Sequence, residues 1–306
     1  LNQDRARYFL KIQDGCNQFC SYCVIPYARG LLRSRKEAEI IKEIRQALKV
    51  GYREIVLSGI HLGRYGQDLG SDLLSLLKKI LAIKKDFRIR LSSIEVNEVD
   101  DELLSLMVKD RRLCRHLHIP LQSGSDRILR LMNRPYSQKF FSQRIKMIKK
   151  LMPDIAISTD IIVGFPKETD RDFLDSYELA RKLKLSRLHV FSFSAHEKTP
   201  AYNLKPKVPV KTIKVRSAKL RALSGVLEEK CRQLIIKQYR RQKIAVIIES
   251  QRGAYSLGKS EYYLDFWFNL DSRKYGVGSL VSLSKKKKKR RLSEQLELIR
   301  IILNLY

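Results

Sequence analysis

Gly15-Cys16-Asn17-Gln18-Phe19-Cys20-Ser21-Tyr22-Cys23 is the most informative segment of this chain, because it holds three of the five cysteines within eight positions. The spacing is Cys-x3-Cys-x2-Cys. Residues 8–13 before it alternate apolar and polar side chains, which predicts a β-strand. Asp14 and Gly15 then end this strand, so the cysteines are expected on a loop at its carboxyl end.

Three thiols on one loop suit an iron–sulfur cluster in which one iron lacks a protein ligand, because a four-iron cluster ordinarily takes four thiolates. An outside molecule could then bind the open iron. The alternative is a structural zinc site with His61 as fourth ligand, but such sites usually combine Cys-x2-Cys with a second, distant pair. The sequence contains no second pair. A disulfide framework is not expected from five cysteines in a chain of 306 residues.

Charge is the second constraint on function. The chain carries 62 Lys and Arg against 32 Asp and Glu, which gives a formal net charge of +30. This balance favours a polyanionic partner, with RNA ahead of an anionic membrane, over the alternative of a generally basic composition. The apolar runs are too short to span a membrane and the first residues lack a signal-peptide pattern. We therefore expect a cytoplasmic protein with no membrane partner.

The motifs around the cysteines resemble a known family. Cys-x3-Cys-x2-Cys, with the aromatic Tyr22 before its third cysteine, is similar to the signature of radical S-adenosylmethionine (SAM) enzymes. The flanking motifs DGC at 14–16, IPYARG at 25–30 and RSR at 33–35 resemble the methylthiotransferases within that group. The motif SGIHLGRYG at 58–66 resembles the branch that acts on N6-threonylcarbamoyladenosine in tRNA.

The resemblance extends from about residue 8 to about residue 201, weakens up to about residue 284 and is absent beyond. Strand and helix patterns alternate within it, which predicts a parallel sheet with right-handed crossovers. The strands are predicted at 8–13, 54–59, 88–95, 116–122, 156–164 and 187–194. Six such units fit the α/β fold that the resemblance implies, a partial (β/α)6, TIM-like radical SAM barrel with its ligands at the carboxyl ends of the strands.

The C-terminal third has a different pattern. A basic helix is predicted over 211–240, with an interruption near Ser224 and Gly225. Short strands are predicted at 244–248, 262–268 and 279–283, which indicates a small all-β barrel. By position this barrel resembles the TRAM domain, a tRNA-binding module at the end of these enzymes. Its candidates for stacking on RNA bases are Tyr255, Tyr262, Tyr263 and Trp267.

We therefore expect three parts: a radical SAM domain over 1–222, a TRAM-like RNA-binding domain over 226–284, and a basic tail with a terminal helix over 285–306. The sequence begins at Leu1 rather than at a methionine, and we expect a piece of a longer chain. Methylthiotransferases carry an N-terminal domain with three further cysteines, which this sequence lacks. A second [4Fe-4S] cluster, the source of the inserted sulfur, is expected only in that domain.

The resemblance implies two cofactors, a [4Fe-4S] cluster and SAM. The cluster would be held by Cys16, Cys20 and Cys23, and the amino and carboxylate groups of SAM would bind its open iron. The side chains implied in SAM binding are Tyr22, Ser58, Gly59, Ser93, Glu95, Gln122, Arg134, Ile162, Val163 and Phe165. The polar residues would hold the methionine and ribose groups, with Arg134 on the carboxylate. The apolar residues would flank the adenine, and each of them could equally be plain core.

Other chemistry-bearing residues have simpler interpretations. His116 and His118 alternate on one predicted strand and share a face, where structural histidines are expected rather than a metal pair. Cys114 and Cys231 are isolated and are expected to be small buried residues. Near the sixth strand the chain departs from the family pattern over residues 191–201, which puts the substrate contacts in doubt.

The resemblance implies a transferase that replaces the C2 hydrogen of N6-threonylcarbamoyladenosine, at position 37 next to the anticodon of tRNA, with a methylthio group. Its partners would be tRNA and an electron donor such as flavodoxin or ferredoxin, and we expect a monomer. One alternative is the same reaction on isopentenyladenosine in tRNA or on a ribosomal protein. Another is a non-catalytic RNA-binding protein with a vestigial cluster, although the intact cysteines argue against it.

Overall fold

The structure, a computed structural model, describes residues 5–239, 243–253, 255–269 and 274–283. Strands and helices alternate over its larger part. The strands are β1 (Tyr8–Asp14), β2 (Arg33–Ser34), β3 (Glu54–Gly59), β4 (Arg88–Leu91), β5 (His116–His118), β6 (Ala156–Val163) and β7 (Arg187–Ser192). The helices are α1 (Ile25–Arg29), α2 (Glu37–Val50), α3 (Leu73–Leu81), α4 (Asp101–Lys109), α5 (Asp126–Leu131), α6 (Gln138–Leu151), α7 (Asp170–Lys182) and α8 (Val210–Tyr239).

Six of these strands are parallel and form an open barrel. They lie in two sheets of order β2-β1-β3-β4 and β5-β6-β7, in which only β2 is antiparallel to its neighbour. Isolated parallel bridges join the two sheets, Ile89 to Leu113 and Ser93 to His118. The prediction of a partial, TIM-like barrel is therefore confirmed.

Amphipathic helices cover the outside of the barrel. In α2 the residues Ile40, Ile44, Ala47 and Leu48 are buried at helical spacing, and the helix ends where Gly51 adopts a left-handed φ of 115°. All four residues of β4 are buried, which is typical of a parallel strand covered on both faces. Fully burying one such Leu or Ile side chain stabilises the fold by about 1.5–3 kcal/mol. None of the described helices is long and apolar enough to cross a membrane.

The C-terminal part is an antiparallel sheet of order β10-β9-β8-β11. Its strands are β8 (Ile244–Arg252), β9 (Tyr255–Ser260), β10 (Asp265–Asn269) and β11 (Leu280–Leu283). The strand predicted over 262–268 is wrong in its first half, because the chain turns there. Tyr263 has a φ of 64°, and the Leu264 N–H donates to Ser260 Oγ at 3.1 Å. The strand β9 was not predicted.

The predicted interruption of the basic helix is also wrong. Helix α8 continues through Ser224 and Gly225, because Ser224 Oγ accepts a hydrogen bond from the Leu188 N–H at 2.9 Å and so ties the helix to β7. Leu220 and Leu227 on the same helix are buried in the barrel core. The domain limits at 222 and 226 fall inside this helix and stay a prediction. The basic tail and terminal helix over 285–306 lie outside the described residues.

A buried ionic group joins the C-terminal sheet to the barrel. Glu54, at the start of β3, is fully buried and accepts hydrogen bonds from Arg88 Nε at 2.6 Å and Arg90 Nε at 2.7 Å. The same guanidinium groups also donate to the sheet. Arg88 binds the carbonyls of Ala245 at 2.8 Å and Lys259 at 2.7 Å. Arg90 binds the carbonyl oxygens of two further residues, Ser260 and Glu261, at 2.9 and 3.2 Å. The sheet therefore covers the amino ends of the barrel strands.

We expect Glu54→Gln to lower the free energy of unfolding by about 3–5 kcal/mol, because it leaves two buried guanidinium groups without their counter-charge. Urea unfolding followed by circular dichroism measures this loss. The matched control is Glu249→Gln, which removes the partly exposed partner of Arg7 at 2.7 Å and should cost about 1 kcal/mol or less. Equal losses in the two variants would contradict a special role for Glu54.

The same group predicts an acid dependence of stability. Burial opposes the charge of Glu54, but Arg90 and Arg88 outweigh this and lower its pKa to about 2. Because the folded-state pKa lies below the unfolded one, its contribution is present above about pH 5 and is lost as the pH falls towards 2. The urea unfolding is repeated between pH 7 and pH 3. The free energy of unfolding should fall less steeply with decreasing pH in Glu54→Gln than in the unaltered protein.

Candidate functional site

The cysteine loop lies at the carboxyl end of β1 and is held at several points. Gly15 opens it with a φ of 71°, and a Cβ there would lie 1.9 Å from the Leu31 carbonyl oxygen. The Cys16 N–H donates to the Gly30 carbonyl at 3.0 Å. In the middle of the loop, Ser21 Oγ donates to the Leu131 carbonyl at 2.7 Å. The loop is therefore fixed to the end of α5 and to the segment that follows α1.

The three thiols of the loop differ in exposure and charge. Cys20 is buried, Cys16 and Cys23 are partly exposed, and none forms a disulfide. Burial raises the pKa of Cys20 and of Cys23. Burial acts the same way on Cys16, but hydrogen bonds from His61 and from the Gln18 N–H outweigh it and lower the pKa of this thiol. Within the described ranges, no three His, Cys, Asp or Glu side chains are arranged as a ready site for a single metal ion.

Cys16 contacts an oriented histidine. The ring nitrogen Nδ1 of His61 lies 3.2 Å from Cys16 Sγ, and its Nε2 lies 2.5 Å from Glu98 Oε1. Burial opposes the charged ring, but these two hydrogen bonds raise the pKa of His61 to about 9. At neutral pH the ring is therefore an imidazolium between a sulfur and a carboxylate.

Cys20 contacts a buried arginine. Arg134 Nη1 donates to Cys20 Sγ at 3.3 Å, and its Nη2 forms an ion pair with Glu95. The hydroxyl of Tyr136 accepts from Arg134 Nε at 3.1 Å and lies 3.0 Å from the Pro120 carbonyl. Two residues predicted to bind SAM, Glu95 and Arg134, thus lie together beside the cysteine loop and pair with each other.

A cavity of about 220 Å³ opens at the carboxyl ends of β6 and β7. It contains three aromatic rings and several polar groups. Its lining residues are Tyr22, Gln122, Asp160, Ile162, Phe191, Ser192, Phe193 and Ser194. Gln122 reaches it from a left-handed backbone conformation with a φ of 63°. The cavity therefore combines one end of the cysteine loop with the segment where the sequence departs from the family pattern.

The other predicted SAM residues lie around this edge of the barrel. Ser58 Oγ donates to the Leu10 carbonyl at 3.3 Å, and Gly59 packs so closely on Gln13 that a Cβ would lie 2.9 Å from its Oε1. Ser93 forms a bridge to β5. Two apolar candidates are buried apart from each other: Val163 in the main core, and Phe165 in a small cluster with Tyr22, Ile162 and Phe193. The cofactor roles of all these residues stay predictions.

The histidines of β5 form a chain of hydrogen bonds inside the barrel. Ser158 Oγ lies 3.0 Å from His116 Nε2 and 2.9 Å from His118 Nδ1, and His118 Nε2 lies 3.1 Å from Asp160 Oδ1. His116 also stacks on Tyr263 of the C-terminal sheet at 4.8 Å between ring centroids. Burial lowers its pKa well below the usual value. Both rings are therefore engaged in packing and hydrogen bonds inside the barrel.

The sequence identified only some of the residues that line the site. From the sequence, His61 is predicted only as the fourth ligand of an alternative zinc site, and Glu98 is not predicted at all. Glu98 lies in a short 3-10 helix over Val96–Glu98, and no motif connects it with a residue 37 positions away. Asp160 follows the pattern of a strand residue, so its place in the cavity wall depends on the register of β6 against β7.

Comparisons with known proteins agree with this geometry. The chain is 42% identical over 251 residues to the threonylcarbamoyladenosine tRNA methylthiotransferase MtaB of Bacillus subtilis, covering 80% of this chain and 54% of the relative. It is 36% identical over 257 residues to a tRNA-2-methylthio-N(6)-dimethylallyladenosine synthase of Geobacillus kaustophilus, covering 82% and 47%. The chain thus spans about half the length of these curated relatives.

The fold also has a counterpart among solved structures. The coproporphyrinogen III oxidase HemN of Escherichia coli, described as a radical SAM enzyme, superposes with a TM-score of 0.54 at 16% identity. The match covers 73% of this chain and 53% of that one, and at this identity it supports the fold alone. The sequence profile of the Radical SAM superfamily matches residues 10–180, which is more than half of the chain. This chain belongs to the Radical SAM superfamily.

Proposed function

We propose that the chain is the catalytic and RNA-binding part of a tRNA methylthiotransferase that acts at C2 of N6-threonylcarbamoyladenosine at position 37. The observation that carries this proposal is the position of the three-cysteine loop beside a cavity rich in aromatic rings, at the carboxyl end of the barrel. The identity of 42% to a threonylcarbamoyladenosine tRNA methylthiotransferase supports the same substrate.

The family implies a [4Fe-4S] cluster and SAM, and the side chains of the loop suit such a group. Three free thiols lie on one loop, which is the donor set that iron–sulfur clusters take. The cations His61 and Arg134 contact two of them and offset the negative charge of thiolates. On this proposal Cys16, Cys20 and Cys23 hold the cluster. When bound, the cofactors would supply one-electron chemistry able to break a C–H bond that is not acidic.

The chain's own residues would bind and orient SAM and the substrate. The rings of Tyr22, Phe191 and Phe193 line the cavity and offer faces on which a flat purine stacks, either the adenine of SAM, as predicted for Tyr22, or the substrate base. Gln122 and Asp160 supply an amide and a carboxylate that accept or donate hydrogen bonds at the edge of such a base. Burial raises the pKa of Tyr22 well above its usual value, so its hydroxyl stays neutral.

RNA binding is proposed for the C-terminal sheet, as part of a TRAM-like barrel. Of the four aromatic candidates, Tyr255 and Trp267 are exposed, whereas Tyr262 is buried and Tyr263 faces the barrel. The large positive charge of the chain suits phosphate contacts around them. The sulfur source and the second cluster belong to the N-terminal domain that the family resemblance implies.

A second candidate substrate is dimethylallyladenosine in tRNA. The relatives named as dimethylallyladenosine synthases are 36–38% identical to this chain over 206–258 residues, so the reaction could be the same on the other modified base. The segment around Ser192, where the chain departs from the family pattern, lines the cavity. It is the part of the site best placed to distinguish the threonylcarbamoyl base from the dimethylallyl base.

We expect the protein with its cofactors to prefer tRNA carrying N6-threonylcarbamoyladenosine over tRNA carrying the dimethylallyl group. The measurement is anaerobic incubation of each tRNA with SAM, dithionite and a methanethiol source, followed by nucleoside mass spectrometry and detection of 5′-deoxyadenosine. Methylthio product on the dimethylallyl tRNA alone would favour the second candidate. SAM cleavage without either product would mean that the added thiol does not replace the sulfur-donating domain, and the preference is then measured as the 5′-deoxyadenosine formed in the presence of each tRNA. No cleavage of SAM would refute the enzymatic function.

We expect Cys20→Ala to lose the cluster while Cys231→Ala retains it. The unaltered protein should hold about four iron and four sulfide ions per chain after anaerobic reconstitution. Cys231 is a suitable control because it is partly buried on α8, away from the loop. Iron and sulfide analysis with the visible absorption spectrum measures the result. A full cluster in Cys20→Ala would contradict the assignment.

We expect Trp267→Ala to weaken tRNA binding, because stacking of one base on an aromatic side chain contributes about 1–3 kcal/mol. Phe140→Ala is the matched control, since Phe140 is also exposed but lies on α6. Point variants are preferable to a truncation near Ser224, which would cut α8 where it packs on the barrel. Filter binding at several salt concentrations gives the affinity and its salt slope. If Trp267→Ala and Phe140→Ala bind tRNA with equal affinity, the RNA does not stack on Trp267.

A further inference from the structure

His61 is held rigidly beside the cysteine loop. The residue is only 5% exposed, and its backbone N–H donates to Gln13 Oε1 at 2.8 Å. Gln13 is itself buried, and its Nε2 donates to the carbonyls of Asp14 and Gly15 at 2.6 and 2.8 Å. The end of β1, the start of the cysteine loop and His61 therefore form one hydrogen-bonded unit.

The two ring nitrogens of His61 each meet an acceptor. Glu98 Oε1 lies 2.5 Å from Nε2, and Arg64 Nε lies 3.4 Å from the same oxygen. The second oxygen of Glu98 is buried and has no hydrogen-bond partner among the residues that the structure describes, so the carboxylate meets the ring through Oε1. On the other side Cys16 Sγ lies 3.2 Å from Nδ1. A thiolate bound to iron has no proton to give, so Nδ1 must carry the hydrogen of this bond.

We propose that His61 sets the reduction potential of the cluster by donating a hydrogen bond to the sulfur of Cys16, with Glu98 orienting the ring. This inference rests on the proposed function in one respect, namely that Cys16 is a ligand of the cluster. Reduction adds one electron, here from dithionite, and makes the thiolate sulfurs more negative. A donor to sulfur stabilises that reduced state more than the oxidised one and so raises the potential.

His61 is a positioning residue in this account, because it acts through Cys16 and not on the substrate. A purely structural role would predict a less stable protein with an unchanged potential. A role as a metal ligand would predict loss of iron, since His61 was the fourth ligand of the alternative zinc site. The hydrogen-bond role predicts a cluster of normal composition with a changed potential.

The test is an anaerobic redox titration of the reconstituted protein, followed by the electron paramagnetic resonance signal of the reduced cluster. His61→Phe keeps a ring and removes the donor, and its midpoint potential should fall. A tenfold change in the reduction equilibrium corresponds to about 59 mV for one electron, and we expect at least this shift. His61→Asn keeps an N–H near the place of Nδ1 and should restore part of the potential. Glu98→Gln should lower the midpoint potential by a smaller amount. His196 is exposed, so His196→Asn is the control and should not shift the potential.

The outcomes separate this inference from the proposed function. A cluster in every variant with the same potential as the unaltered protein overturns the role of His61 and leaves the proposed function standing. Loss of iron in both His61→Phe and His61→Asn makes His61 a ligand and also overturns it. Failure of the unaltered protein to assemble a cluster overturns both. A lowered potential in His61→Phe with partial recovery in His61→Asn supports the inference.

Discussion

The ion pairs of Glu54 with Arg88 and Arg90 are the constraint on which the arrangement of this molecule depends. A carboxylate with no exposed surface is stable only when opposite charges and hydrogen bonds surround it, and here two guanidinium groups do so. The same two groups bind four backbone carbonyls of the C-terminal sheet. Barrel and sheet are therefore joined by fixed, charge-assisted hydrogen bonds at the amino ends of β3 and β4.

Because these hydrogen bonds hold the C-terminal sheet at the amino ends of the strands, the sheet and the cysteine loop lie at opposite ends of the barrel. Strand β1 runs over seven residues from the side of the sheet to the cysteine loop, a length of roughly 20 Å. A base in the cavity beside Tyr22 would thus lie at the opposite end of the barrel from the sheet that carries Trp267. On the proposed function, the C-terminal sheet binds another part of the tRNA, and its rigid attachment fixes the distance between that part and the reacting base.

The sequence predicted the barrel because its signals are local. Alternating strand and helix periods fix the order of elements, and the cysteine spacing places the loop after β1. The predictions from the sequence are wrong where tertiary contacts determine the backbone conformation. Ser224 and Gly225 should weaken a helix, yet α8 continues because Ser224 Oγ binds the Leu188 N–H. The turn at Tyr263 breaks a run of aromatic residues typical of a strand, because the turn, rather than a strand, contacts the barrel. Glu98 could not be found from any pattern, since only the fold brings it to His61.

Two of the three thiols of the loop each contact a cation that is itself paired with a carboxylate. Cys16 contacts His61, which is paired with Glu98, and Cys20 contacts Arg134, which is paired with Glu95. In each case the carboxylate holds the cation, and the cation faces the sulfur. The two carboxylates offset part of the positive charge near the loop, while the cations are the charges nearer to the two sulfurs and therefore interact with them more strongly. Among the described hydrogen bonds, none joins the sulfur of Cys23 to a cation. The Cys23 N–H donates to the Cys20 carbonyl. The cations thus act on the thiols unequally, so substitutions around Cys16 and Cys20 should affect a bound cluster more than substitutions around Cys23.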